Sequence, residues 1–277
     1  MLTWPAPANI GNVGGHLQDR TRSNLRERWG QVRALTSGRY VARLADGKAD
    51  LAQAMDLRNL VFRKGQVGVQ DGDTLDADCL HILVETAQSA RLVCCFRVLV
   101  LTDATAIPTS YSAQFYDLSR LAGFGGPMLE LGRFCVHPAE QDPDILRLAW
   151  GALARLVDQT AAGMLFGCSS FAGTHGPDHD AGLAVLQAAH LAPEQWQPLR
   201  RAADIYDFSK ALVGPIPDLR ASLAGLPPLL RSYLAMGAWV SDHAVVDRDL
   251  NTLHVFTAVE IAKIPPARAR ALRLIAG

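Results

Sequence analysis

No single sign of charge dominates this chain. Its 277 residues carry 27 lysines and arginines against 27 aspartates and glutamates, with a pI near 7.1, so no global field points to nucleic acid as a partner. Cysteine is sparse: Cys79, Cys94, Cys95, Cys135 and Cys168 form an odd set with no C-x-x-C and no zinc spacing. They read as reduced, mostly buried small hydrophobes. Long apolar runs are missing as well, because the longest uncharged stretches are broken by Asp103, Pro108, Gly163 or Ser169-Ser170, short of the roughly 20 residues of a spanning helix. The opening MLTWPAPANIGNVGG lacks a basic n-region and an apolar h-region, so the expectation is a cytoplasmic protein. Neither G-x-G-x-x-G nor G-x-x-x-x-G-K-[ST] occurs, which removes the dinucleotide and P-loop classes. What remains, 49% hydrophobic and 19% charged, is the composition of a folded α/β protein.

Three regions separate along the chain. Residues 1–38 are Gly/Pro/Asn-rich and then basic, with Arg20, Arg22, Arg26, Arg28 and Arg33, and read as an arm outside the core. Residues 39–212 alternate strand and helix patterns. RYVARLA reads as a strand, and Lys48–Arg63 repeats apolar residues at helical spacing. A polar loop over Gly65–Asp78 follows, then two β-branched runs, 79–85 and 90–101, that predict an antiparallel hairpin. A short helix is expected at Tyr111–Leu121, and MLELGRFCVHP (128–138) reads as a strand. Asp142-Pro143 opens a helix whose apolar stripe is Ile145, Leu148, Leu153 and Leu156. GMLFGCSSF (163–171) is a buried strand and Asp178–His190 a helix. Residues 213–277, punctuated by Pro215, Pro217, Pro227 and Pro228, form a C-terminal extension with a helix at Leu229–Trp239 and a strand at 253–261.

Three fragments carry a recognisable order: Leu57-Arg58-x-x-Val61-Phe62-Arg63, then Asp73-x-x-Asp76-x-Asp78-Cys79-x-His81, then Glu130-x-Gly132-Arg133-Phe134-x-Val136-His137-Pro138. Together they resemble the ornithine–acyl carrier protein N-acyltransferases, a branch of the GNAT superfamily that is also similar to acyl-homoserine-lactone synthases. The resemblance runs over about residues 39–210, and 227–256 resembles that family's C-terminal signature. It implies a mixed, mostly antiparallel central sheet flanked by helices, with the N-terminal arm and C-terminal extension attached. It implies no bound cofactor and a 3-hydroxyacyl-acyl carrier protein as thioester co-substrate, transferring its chain to the α-amine of ornithine to give a lyso-ornithine lipid. The superfamily's pyrophosphate loop is absent after Val136, where AEQDPDIL stands, which fits a carrier protein better than coenzyme A.

Aminolysis of a thioester needs a neutral amine, so a base must take a proton, directly or through water. Glu130, a carboxylate in an otherwise apolar strand, is the candidate; pairing with Arg133 would instead make it scaffolding. Strict alternation puts Glu130 and Arg133 on opposite faces. The bulge that GNAT folds carry in this strand would bring them together and free backbone N–H groups for the thioester oxygen. Arg58, Arg97 and Arg133 are candidates for the acceptor's carboxylate, which a guanidinium grips bidentately. Asp73 and Asp76 are candidates for its second ammonium, whereas Asp71 and Asp78 read as solvated turn residues. The other reading of Arg97 is a structural bond to one of these aspartates. Phe62 and Val136 belong to the same fragments; His81 either orients the loop or is a satisfied core histidine. Ser169 and Ser170 stand where the acyl chain or pantetheine of the family passes between splayed strands. Arg63, Lys64, Arg147 and Arg155 form either a docking patch for an acidic carrier protein or a solvated face. Metal is not expected, since Gly176-Pro177 breaks the helix that His175 and His179 would need as ligands. The basic run Lys263, Arg268, Arg270, Arg273 fits peripheral contact with anionic inner-membrane lipid or an ordinary surface helix. The alternatives are an acyl-homoserine-lactone synthase and a catalytically silent GNAT-fold module that binds acyl carrier protein.

Overall fold

Alternation along β3 (Leu80–Thr86) and β4 (Leu92–Leu101) sets the layering of the molecule. In the computed structural model, which describes residues 13–32, 34–65, 70–212 and 219–277, Ile82, Val84, Cys94, Phe96 and Val98 face one side of the sheet and Leu83 and Cys95 the other. The first side is covered by α3 (Pro143–Thr160), the second by α2 (Gly47–Phe62) through Ala54 and Leu57. Helix α3 starts as its sequence dictates: the Asp142 carboxylate accepts from the Asp144 N–H at 3.0 Å, and Pro143 fills the first turn. The first twelve residues of the arm, positions 66–69 of the polar loop and the stretch around Pro215 and Pro217 lie outside the described residues.

The main sheet runs β1 (Leu35–Ser37), β2 (Tyr40–Leu44), β3, β4, β6 (Met128–Val136), β7 (Met164–Ala172), β12 (Thr252–Glu260), β11 (Ala244–Asp247) and β9 (Ile205–Tyr206). Strand β10 (Trp239–Val240) pairs with β12, while β5 (Tyr116–Asp117) and β8 (Leu199–Arg200) form a two-stranded sheet of their own. Every neighbouring pair is antiparallel except β6 with β7. This is the mixed, mostly antiparallel sheet with flanking helices that the sequence resemblance implies.

Three local expectations are corrected. The arm contributes to the core: α1 (Val13–Gln31) buries Leu25 and Trp29, and Leu35 of β1 is buried beside them. Two apolar residues four apart on a highly charged helix leave too faint a stripe to be read. The helix expected at Tyr111–Leu121 is instead two 3-10 turns, Ser112–Gln114 and Ser119–Gly123, around β5. Long-range bonds override its periodicity, since the Tyr111 and Ser112 N–H groups go to Glu130 and the Tyr116 hydroxyl goes to His254. Arg155 is buried: its guanidinium lies 5.1 Å from the centre of the Trp29 ring and donates to the Ala276 carbonyl at 2.6 Å. It ties the C-terminal helix α8 (Pro266–Ala276) to α3 and is no part of a docking patch. Gly151 permits that approach, because a Cβ there would stand 2.4 Å from Ile275 Cγ2. Of the basic run at this end, Arg273 pairs with Asp158 at 3.0 Å and Lys263 with Glu260 at 2.7 Å. No described helix is long and apolar enough to cross a membrane.

Candidate functional site

Where β6 and β7 part company, the sheet opens. The two pair in parallel only from Met128 to Leu131 and from Met164 to Gly167. Past that point β6 stays with β4 as far as Val136, and β7 stays with β12 as far as Ala172. Gly167 stands at the apex, where a Cβ would lie 2.3 Å from the Leu131 carbonyl oxygen. The expected bulge is here: Cys95 pairs with Cys135 and Arg97 with Gly132, so Phe96 alone opposes both Arg133 and Phe134. Arg133 takes φ +51°, which costs a non-glycine residue about 1–2 kcal/mol. Its ion pairs and its stacking over Tyr111, 5.1 Å from the ring centre, hold it there. Phe134 is thereby left to stack on Phe96 at 5.2 Å.

The wedge holds a cavity of about 210 Å³. Phe62, Phe134 and, from α7 (Pro228–Leu234), Leu229, Leu230 and Tyr233 give it an apolar wall. Arg97, Arg133, Tyr111, Ser169 and Ser170 line it with polar groups. Five residues singled out from the sequence, namely Phe62, Arg97, Arg133, Ser169 and Ser170, therefore meet at one place. Ser169 Oγ accepts from Thr257 Oγ1 at 2.9 Å, and Ser170 is exposed.

Other expected residues lie outside the lining, in a buried ionic lattice behind it. Arg58 donates from Nε to Asp71 at 2.9 Å and from Nη1 to Asp76 at 2.6 Å. Arg97 grips Asp73 through both terminal nitrogens, at 2.5 and 2.8 Å, and reaches Asp76 at 2.8 Å. Arg133 joins through Nε to Asp71 at 3.0 Å. The side chains of Arg58 and Asp71 are 1% and 0% exposed, so neither meets a ligand. Three expectations are corrected here. Arg58 holds protein aspartates in place of a substrate carboxylate; Asp73 and Asp76 hold arginines in place of an ammonium; and Asp71 is no solvated turn residue. For Arg97, the structural-bond reading is the one the geometry gives. Burial pushes the Asp76 carboxyl up, but hydrogen bonds from Arg58, the Asp73 N–H and Arg97 outweigh it and hold it well below the usual range. Asp73 and Asp76 also form a capping box around the 3-10 turn Thr74–Ala77.

Glu130 is not among the described residues that line the cavity. Its carboxylate accepts from the Tyr111 N–H at 2.8 Å, the Ser112 N–H at 2.7 Å and the Ser112 hydroxyl at 2.6 Å. Burial pushes its carboxyl above the usual value, opposed by the Ser112 and Tyr111 hydrogen bonds. With three donors engaged, Glu130 fixes the wall that carries Tyr111. His81 is a satisfied core histidine, Nε2 to the Asp76 carbonyl at 2.9 Å, and burial lowers its pKa. Val136 is half-buried at the end of β6. In the supposed docking patch Arg63 is bound to Asp249 at 2.7 and 2.9 Å, Arg147 is exposed beside Asp144 at 2.6 Å, and Lys64 is exposed.

Three cavity residues escaped sequence reading: Asp247, Thr252 and His254. Asp247 is the sole carboxylate among the described lining residues; Oδ1 accepts from the Leu250 N–H at 3.0 Å, and Oδ2 lies 3.5 Å from the Tyr111 hydroxyl. The one signal available is that Asp247 and His254 fall inside the C-terminal signature, His254 in the predicted strand 253–261 and Asp247 outside any predicted element. Burial pushes the His254 imidazole down to about 4, with Asp247 opposing. A histidine in the unfolded chain titrates near 6.5, so between about 4 and 6.5 the unfolded state binds more protons and stability rises with pH. Lowering the pH through that window removes about 3 kcal/mol. Urea midpoints measured from pH 7 to 4 will fall accordingly, and His254→Asn will lose this part of the dependence.

Residues 57–151 match the acetyltransferase (GNAT) domain family. The L-ornithine N(alpha)-acyltransferase of Rhodobacter capsulatus is 32% identical over 237 residues, covering 80% of this chain and 90% of its own. That of Brucella abortus is 30% identical over 244 residues, covering 82% of this chain and 86% of its own. Among solved structures FeeM, an N-acyl amino acid synthase from uncultured soil microbes, aligns at a TM-score of 0.41 and 11% identity, covering 87% of this chain and 98% of its own.

Proposed function

The chain belongs to the L-ornithine N(alpha)-acyltransferases, and from that premise we propose that it moves a 3-hydroxyacyl chain from acyl carrier protein to the α-amine of ornithine, producing lyso-ornithine lipid. The observation that carries this reading is the pairing, in one cavity of about 210 Å³, of an arginine with unspent donors and a single carboxylate. Arg133 commits Nε to Asp71 at 3.0 Å and brings Nη2 within 3.5 Å of Asp73, which leaves Nη1 for the acceptor's carboxylate. Asp247 supplies the opposite charge. A zwitterion with a second ammonium matches that pattern better than an amino acid with an apolar side chain.

The acyl thioester enters between the splayed strands, along the apolar wall of Phe62, Phe134 and α7. The α-amine, having lost one proton to water, attacks the carbonyl carbon; the C–N bond forms, the C–S bond breaks and a second amine proton goes to the departing thiolate, with no acyl-enzyme intermediate. The backbone N–H groups turned out of the β4–β6 ladder by the Arg133–Phe134 bulge are suited to the oxyanion. Glu130 contributes by holding Tyr111 and Ser112. Holding both substrates in a ternary complex supplies the larger part of the acceleration. A carrier protein is favoured as donor because Glu140, Asp142 and Asp144 crowd the start of α3, a poor place for a pyrophosphate. Exposed Lys64 and Arg147 are the basic groups left for an acidic carrier to meet.

The deciding assay offers purified protein 3-hydroxyacyl carrier protein and a panel of free amino acids, reading thiol release and lipid mass. Thiol release dependent on ornithine, with the lyso-ornithine lipid mass, is the expected result. A lactone product would establish the homoserine-lactone synthase alternative, and carrier binding without thiol release the silent module.

A further inference from the structure

Two buried polar atoms of cavity-lining residues, Thr252 Oγ1 and His254 Nε2, have no hydrogen-bond partner among the described residues. They stand on one face of β12, two residues apart, and Asp247 of β11 is the register partner of Thr252, so the three side chains share that face. We propose that Asp247, Thr252 and His254 form a subsite for a primary ammonium, the side-chain ammonium of the acceptor, and that this tripod selects a diamino acid over a monoamino acid of the same length. The inference rests on the acceptor reading above and adds to it the residues that read the second amine.

The chemistry of the three atoms points to this ligand. An ammonium carries three N–H donors and one positive charge; the tripod presents three acceptors and one negative charge. The state of the imidazole is set from behind. The Tyr116 hydroxyl has a single proton and lies 2.8 Å from the His254 carbonyl and 3.2 Å from Nδ1. Giving that proton to the carbonyl, it accepts from Nδ1–H, which leaves Nε2 with its lone pair. Burial keeps the ring uncharged at neutral pH, so it does not repel a cation. His254 is only 1% exposed, and an acceptor orphaned at that depth is costly unless a ligand donates to it. Among the described residues, Asp247 Oδ2 accepts only the long bond from the Tyr111 hydroxyl at 3.5 Å. Cation recognition by a carboxylate and two neutral acceptors leaves Arg133 to the other end of the molecule, which orients the α-amine toward the bulge.

Binding of ornithine and of norvaline, the same skeleton without the second amine, is compared by titration calorimetry on the full chain and on two variants. His254→Asn places an amide N–H where Nδ1 stands and so keeps the Tyr116 bond while removing Nε2. Thr252→Val removes only the hydroxyl. The expected result is that the wild-type chain binds ornithine at least 30-fold tighter than norvaline, and that each variant cuts this ratio 3- to 10-fold with norvaline affinity unchanged. Equal affinity of the wild-type chain for the two amino acids overturns the proposal without needing either variant to fold, as does equal weakening of both ligands by folded variants. Acylation of ornithine alongside such equal affinities would leave the enzymatic reading intact; preferential binding of ornithine with no acylation would keep the subsite and remove the acceptor reading.

Discussion

Asparagine in place of Asp247 will lower kcat/KM for ornithine by about 10²–10³-fold, mainly through KM. The carboxylate is the cavity's one negative charge among the described residues, facing a lining that also carries Arg97 and Arg133. Removing one partner of a buried, hydrogen-bonded charge pair costs about 2–5 kcal/mol, and each 1.36 kcal/mol is tenfold. The fold should tolerate the change, since asparagine keeps a carbonyl oxygen for the Leu250 N–H that Asp247 Oδ1 holds at 3.0 Å. Steady-state kinetics with ornithine and norvaline side by side check the assignment. A loss confined to ornithine follows from recognition of the second ammonium; an equal loss with both would place Asp247 in the framework instead.

The second large effect is on stability. Arg58→Met will destabilise the chain by about 3–5 kcal/mol, the cost of leaving a buried charge without its partner. Arg58 serves two carboxylates at once, Asp71 and Asp76, whose side chains are 0% and 4% exposed. Arg97 and Arg133 retain bonds to the same aspartates, which keeps the loss from being larger. Arg58→Lys will not restore the wild-type value, because one ammonium cannot span the two carboxylates as the guanidinium fork does. The sign of the pH dependence is also set. Hydrogen bonding to Arg58 keeps the folded Asp76 pKa below its unfolded value, so the wild-type contribution is present above about 3.8 and is lost as pH falls. The deficit of Arg58→Met therefore holds from pH 7 down to about 4 and narrows below it, as the carboxylates of the unfolded chain protonate. Chemical denaturation at pH 7 and about pH 3 measures both, and a midpoint shift worth less than about 1 kcal/mol at pH 7 would show the lattice to be dispensable.

Much of this was legible in the chain itself. Strands β3, β4, β6, β7 and β12 and helices α2 and α3 follow from alternation, helical spacing and the Asp142-Pro143 start, signals carried by neighbours within one turn or one pleat. The fragments with Arg58, Asp73, Asp76 and Arg133 fold into one ionic lattice beside the cavity, and their residue types and spacing survive in the linear order. Which of those charges meets a ligand and which meets another charge did not follow. Arg58, Arg97, Asp71, Asp73 and Asp76 pair with one another across gaps of 13 to 24 residues, and Glu130 spends its lone pairs on Tyr111 and Ser112. Arg155 likewise finds the end of the chain, 121 residues on. Those pairings are fixed by the bulge at Arg133, the splay at Gly167 and the close approach of β12, and they bring Asp247 and His254 to the cavity from the far end of the chain. Local pattern thus determined the elements and the family of chemistry, while tertiary structure decided the partner of each buried charge, since a charge removed from water is governed by whatever the fold sets within hydrogen-bonding distance of it.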